Sequence, residues 1–163
     1  MKELLLIPVF SLAIYLLYVY FRYGMTDSIS ATQRLLRGFE KPWFSVTLVA
    51  VAIPIIIVGI NGISGERGQF LFFLAGAAIC LVAASPAYWA GKHELTAHLV
   101  GSFGGIGFGM IACLVHYFSI ETVALIAGFG LFALLAWIFK LKNHTYWVEV
   151  MALVTVVLVL YIH

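Results

Sequence analysis

A chain of 163 residues that is 64% hydrophobic and only 10% charged, with a mean hydropathy of +1.09, is not an ordinary water-soluble domain. A net charge of +2 is too small to mark a nucleic-acid partner. Its apolar runs are continuous rather than alternating, which excludes a transmembrane β-barrel.

A bilayer core takes about 20 apolar residues per helix. Six runs meet that length, at about 3–22, 43–61, 69–90, 95–116, 119–139 and 144–162. They predict an all-α fold: a polytopic integral membrane bundle of six transmembrane helices. It forms a single membrane domain over 1–163, with one short interfacial helix in the first loop.

The first run carries Pro8 near its start, where proline is tolerated. It ends in Phe21-Arg22-Tyr23, an aromatic and basic interfacial anchor. It has no small-x-small cleavage site, so it reads as a retained helix rather than a signal peptide. Loop one follows, from Gly24 to Lys41. Ser30-Ala31-Thr32-Gln33 has capping-box spacing and predicts a helix near 31–39 with Ser30 as N-cap. Arg34 and Arg37 would then face headgroups while Leu35, Leu36 and Phe39 dip into the bilayer edge. Asp27, Ser28, Ser30 and Thr32 are more polar chemistry than a connector requires.

The second run opens at Pro42-Trp43 and carries Pro54 mid-span, where a kink is expected. The glycine-rich stretch 61–68 follows no strand, so it reads as a tight turn and not a phosphate loop. The third run holds Gly76, Ala77 and Ala78 and closes near Pro86. The fourth carries the densest polar cluster. Glu94 and His98 share one helix face. Below them Gly101, Gly105 and Gly109 form a small-xxx-small ridge, which lets a neighbouring backbone approach closely. The ridge suits a second copy of the chain (a homo-oligomer) or a partner membrane protein. Cys80 and Cys113 fall mid-helix and suggest packing rather than a disulfide. The fifth run reads as structural and ends before Lys140 and Lys142. The sixth starts at His144 and carries Glu149 about 7–8 Å further along its axis. An intramembrane carboxylate is a functional candidate by default.

Six spans put loops one, three and five on one side. That side carries Arg22, Arg34, Arg37, Lys41, Lys92, Lys140 and Lys142, against Lys2 and Arg67 opposite. The positive-inside rule places it in the cytoplasm, and the short loops fit a bacterial cytoplasmic membrane. The unusual polar groups lie on the same side. They predict a pocket with His98 and Glu149 as its floor and loop one as its lid. Arg34, Arg37, Ser28, Thr32, Glu94, Ser102 and His144 complete the expected ligand-binding set. Such a pocket suits an amphipathic membrane lipid, its anionic head at the arginines and its tails between helices.

Catalytic candidates are His98, Glu149, Asp27 and Ser30, for a lipid hydrolase in which histidine and a carboxylate serve as base. Zinc would fall to His93, His98 and His144 with a water in the fourth position. His93 and His98 are five apart, which is not the spacing of zinc proteases and puts them on different helix faces. A proton-coupled carrier using Glu149 and His98 as relay groups, and a membrane scaffold, are the other readings.

Six helices, the first-loop motif Ser28-Ile29-Ser30-Ala31-Thr32, a glycine-bearing third helix, His98 opening helix four and Glu149 in helix six together resemble the DRAM/Sfk-type superfamily. That group includes proteins of GPI-anchor lipid remodelling and autophagy modulation. The resemblance covers nearly the whole chain. It implies a membrane protein that acts on or senses lipids, and it marks Ser30, Thr32, His98 and Glu149. The superfamily's first loop is expected on the non-cytoplasmic side, opposite to the charge count. A looser likeness is to seven-helix ceramidase-like hydrolases, with one helix fewer here and no paired His-x-x-x-His.

Overall fold

The computed structural model describes residues 2–61 and 69–163. The turn expected at 62–68 lies outside the described residues. Among those described, the chain is all-helical: α1 (Leu6–Tyr23), α2 (Lys41–Asn61), α3 (Gln69–Ala84), α4 (Lys92–His116), α5 (Ile120–Ile138) and α6 (His144–Ile162). A short 3-10 turn, Lys2–Leu5, leads into α1. Five of these helices, α3 excepted, are long and apolar enough to cross a membrane.

Helix α3 is the correction to the expected boundaries. It runs for 16 residues and stops at Ala84, not at 90. The cause is local. Pro86 disfavours a helical Ser85, and it has no N–H to continue the ladder. Ser85 turns its hydroxyl back on the Leu81 carbonyl at 2.8 Å, and residues 86–90 form turns. Sixteen residues make about 24 Å of helix, short of the roughly 30 Å of a hydrocarbon core.

Consecutive helices α1 to α4 pack side by side, and α6 closes the bundle against α4, α1 and α2. Helix α5 stays outside, mainly against α6. Of its residues Thr122 and Ala136 are buried, whereas Leu131, Leu134, Trp137 and Ile138 face outward. The two ends of the described chain adjoin: Lys2 Nζ reaches the Ile162 carbonyl at 3.5 Å. The same end holds His163, stacked on Tyr117 with centroids 5.0 Å apart and within 3.1 Å of the Thr122 hydroxyl. Loop one and the starts of α4 and α6 therefore share the opposite end.

The glycine ridge of α4 is an internal seam. Gly101, Gly105 and Gly109 are all buried. A Cβ at Gly101 would stand 2.7 Å from the Ala78 carbonyl of α3, and one at Gly109 would stand 3.1 Å from Val156 of α6. The ridge thus receives α3 and α6 of its own chain, and these faces are not open to a partner.

Candidate functional site: the loop-one end

Loop one does not form the expected interfacial helix over 31–39. It makes two 3-10 turns, Ser30–Arg34 and Gly38–Glu40, closed by i→i+3 bonds such as Leu35 N–H to the Thr32 carbonyl at 2.9 Å. Two causes are visible. Gly38 takes φ 54, a left-handed conformation that breaks a regular helix. The segment is also drawn into the bundle, burying Ile29, Ser30, Thr32 and Leu36. Leu36 therefore packs inward, while Phe39 stays exposed. Ser28, not Ser30, plays the capping role: its Oγ accepts the Ala31 N–H at 3.0 Å.

Three helices hold the loop. From α6, the Glu149 carboxylate accepts the Ile29 N–H at 2.6 Å and faces the Ser30 amide. A carboxylate is a strong acceptor for the free N–H groups that open a helical turn. The Tyr146 N–H, at the start of α6, donates to the Asp27 carbonyl at 3.0 Å. From α4, His98 Nε2 lies 2.9 Å from Ser30 Oγ. Its Nδ1 is buried beside the Ser85 backbone, outside ordinary hydrogen-bond geometry. From α1, the Tyr15 hydroxyl bonds the Thr32 hydroxyl, which in turn donates to the Ile29 carbonyl.

The structure thus brings Ser30, Thr32, His98 and Glu149 into one cluster. Ser102 joins it through a cavity of about 60 Å³ under the loop, lined also by Ile29, Ser30 and Glu149 and walled by apolar side chains such as Phe44 and Leu48. That volume admits a few water-sized groups. Arg34 does not line the cavity; its guanidinium lies 5.1 Å from the Tyr88 ring and 5.2 Å from Trp89. Tyr88 stacks on His98 with centroids 4.4 Å apart, so one column joins Arg34, Tyr88, His98 and Ser30.

Other expected members stay outside. Asp27, Arg37, His93, Glu94 and His144 are exposed. Glu94 sits in the first turn of α4, where a carboxylate complements the helix dipole. Ser28 is taken up by its cap. Among the described residues no three of His, Cys, Asp and Glu come together to hold a metal, so His93, His98 and His144 do not form the zinc set considered above.

Glu40, Tyr15 and Tyr88 escaped the sequence reading. Glu40 is buried and accepts the hydroxyls of Tyr18 and Tyr23 and the Arg37 N–H, the last at 3.2 Å. It ties the far end of loop one to α1. One signal pointed there: tyrosines inside an apolar helix need partners for their hydroxyls.

The Tyr15–Thr32 bond carries a testable effect. Thr32→Val leaves the Tyr15 hydroxyl buried without its partner, which costs about 1–3 kcal/mol. Tyr15→Phe combined with Thr32→Val should recover most of that loss in thermal unfolding in detergent. A double variant no more stable than Thr32→Val would remove the bond as the cause.

No family model matches the chain, and no curated protein or solved structure matches it.

Proposed function

We propose that the chain is a polytopic membrane protein that binds an amphipathic lipid at its loop-one end. The observation that carries this reading is the cavity under loop one. Its wall is almost wholly apolar, with Ser30, Ser102 and Glu149 among the residues that line it, and the Arg34 guanidinium lies over two aromatic rings on the same loop. The cavity is too small for a whole headgroup but fits a hydroxyl or an ester carbonyl. Arg34, and Arg37 beyond it, would meet the anionic part of the head. Ser30, Thr32, His98 and Glu149, the residues that the DRAM/Sfk-type resemblance marks, lie together at the loop, which supports the same reading. Charge bias would put this end in the cytoplasm.

Native mass spectrometry of the detergent-purified protein tests it, with wild type beside His98→Ala and Ser102→Val. A discrete lipid adduct in wild type, diminished at least several-fold in both variants, is expected. Equal lipid retention in all three samples would overturn the reading.

One observation favours a second reading, lipid hydrolysis. Ser30 Oγ and His98 Nε2 are within hydrogen-bond reach, as a nucleophile and its base must be. It ranks second because the Glu149 carboxylate already faces the Ser30 amide, the nucleophile's own N–H, and accepts the Ile29 N–H beside it. Labelling by a fluorophosphonate that disappears in Ser30→Ala would reverse that ranking.

A further inference from the structure

A second, larger cavity separates α1 from α6. Its volume is about 360 Å³, and every side chain lining it is apolar. Leu12, Ala13 and Leu16 form one wall, Val150 and Val154 the other, and Val51 of α2 closes the floor. It extends from Pro8 to Leu16 on α1 and from Val150 to Leu158 on α6, about 12 Å along each axis. At the loop-one end the next residues on these helix faces are Tyr20 and Trp147, both exposed aromatics of the type that sits at headgroup level.

We infer that this groove holds one acyl chain of a bound lipid, with the lipid's polar end directed to loop one. The inference rests on the lipid-binding reading above and adds the place of the tail. Two features support it. A groove without polar atoms between two apolar helices gives water nothing to bond, so hydrocarbon is its natural filling. The groove also runs toward the loop-one cavity: Leu153 lines both, and Val150 of the groove directly follows Glu149. An apolar slot whose loop-one end adjoins the residues Ser30, Ser102 and Glu149 matches a lipid that turns its polar end toward loop one.

The exposed face of α5 provides an internal control, because it lines neither cavity. The protein is reconstituted in phosphatidylcholine vesicles doped with phosphatidylglycerol that bears a diazirine on one acyl chain. After irradiation, crosslinks are mapped by peptide mass spectrometry. Per-residue labelling of 8–16 and 150–158 should exceed that of 123–138 several-fold. Ala13→Trp and Val154→Phe, each at an exposed position on the groove wall, should bring it down to the α5 level. Equal labelling of α5 and the groove in wild type overturns the inference, as does enrichment unchanged in both filled variants. The two readings fail separately. A His98-dependent lipid adduct without groove enrichment leaves the loop-one site and removes the acyl slot. Groove enrichment without that adduct keeps the slot and removes the loop-one cavity as the head site.

Discussion

Gly101→Ala should lower the apparent melting temperature of the detergent-solubilised protein sharply, although alanine is the better helix former. In an exposed helix interior the same change is worth about 1 kcal/mol of stabilisation. At Gly101 the added methyl carbon would stand 2.7 Å from the Ala78 carbonyl oxygen, 2.8 Å from Val82 Cγ2 and 3.0 Å from the Val82 nitrogen. Two of those atoms are backbone and cannot rotate away, so α3 and α4 must move apart. Overpacking of this kind costs about 1–3 kcal/mol, and a rigid neighbour puts it at the upper end. Gly128→Ala on α5 is the matched control, because nothing lies within 4 Å of its added carbon. That variant should melt at or slightly above wild type. Identical melting of the two variants would show that the α3–α4 seam does not depend on Gly101.

The other large effect is expected at Glu149. Glu149→Leu keeps much of the side chain's bulk but removes the acceptor of the Ile29 N–H and the carboxylate that the Ser30 amide faces. Each amide left without a partner costs about 1–3 kcal/mol. The loss falls on loop one, whose remaining ties are His98 to Ser30, Tyr15 to Thr32 and Tyr146 to Asp27. Limited trypsin digestion reads the opening directly, since Arg34 and Arg37 are exposed on that loop. When opening is fast relative to cleavage, the cut rate follows the open population. Each 1.4 kcal/mol is then about tenfold in rate. Glu149→Leu should be cut at least ten times faster than wild type. Glu149→Gln, which retains a carbonyl acceptor, should stay within a few-fold of wild type. If glutamine accelerates cleavage as much as leucine does, the negative charge and not the hydrogen bond holds the loop.

Both effects depend on residues visible in the sequence, but their roles were legible to different degrees. The spacing of Gly101, Gly105 and Gly109 announced a close helix contact without saying with which helix. That spacing suits a partner's helix as well as one of the chain's own, and α3 and α6 of the same chain fill it. Glu149 and His98 stood out because a carboxylate and an imidazole are costly inside an apolar run. What they bond could not be read, because loop one is 68 residues from His98 and 120 from Glu149 along the chain. The expected interfacial helix failed because a capping-box spacing is a local signal. It was overridden by burial of Ile29, Ser30 and Leu36 and by the left-handed Gly38.

The sequence by itself determined the class of the protein: six apolar helices at nearly their observed positions, and the gathering of unusual polar residues at one end. Helix periodicity and hydrocarbon length are local properties, and an antiparallel chain of short connections assigns each loop to an end. Only the tertiary structure decided which polar groups meet. It left His93, Glu94 and His144 exposed, placed His98 on Ser30 and Glu149 on the Ile29 amide, and opened an apolar groove between α1 and α6. Those outcomes follow from the rotation of each helix about its axis and the order of packing around α6. Side chains of several segments fix both together, and no single segment encodes either.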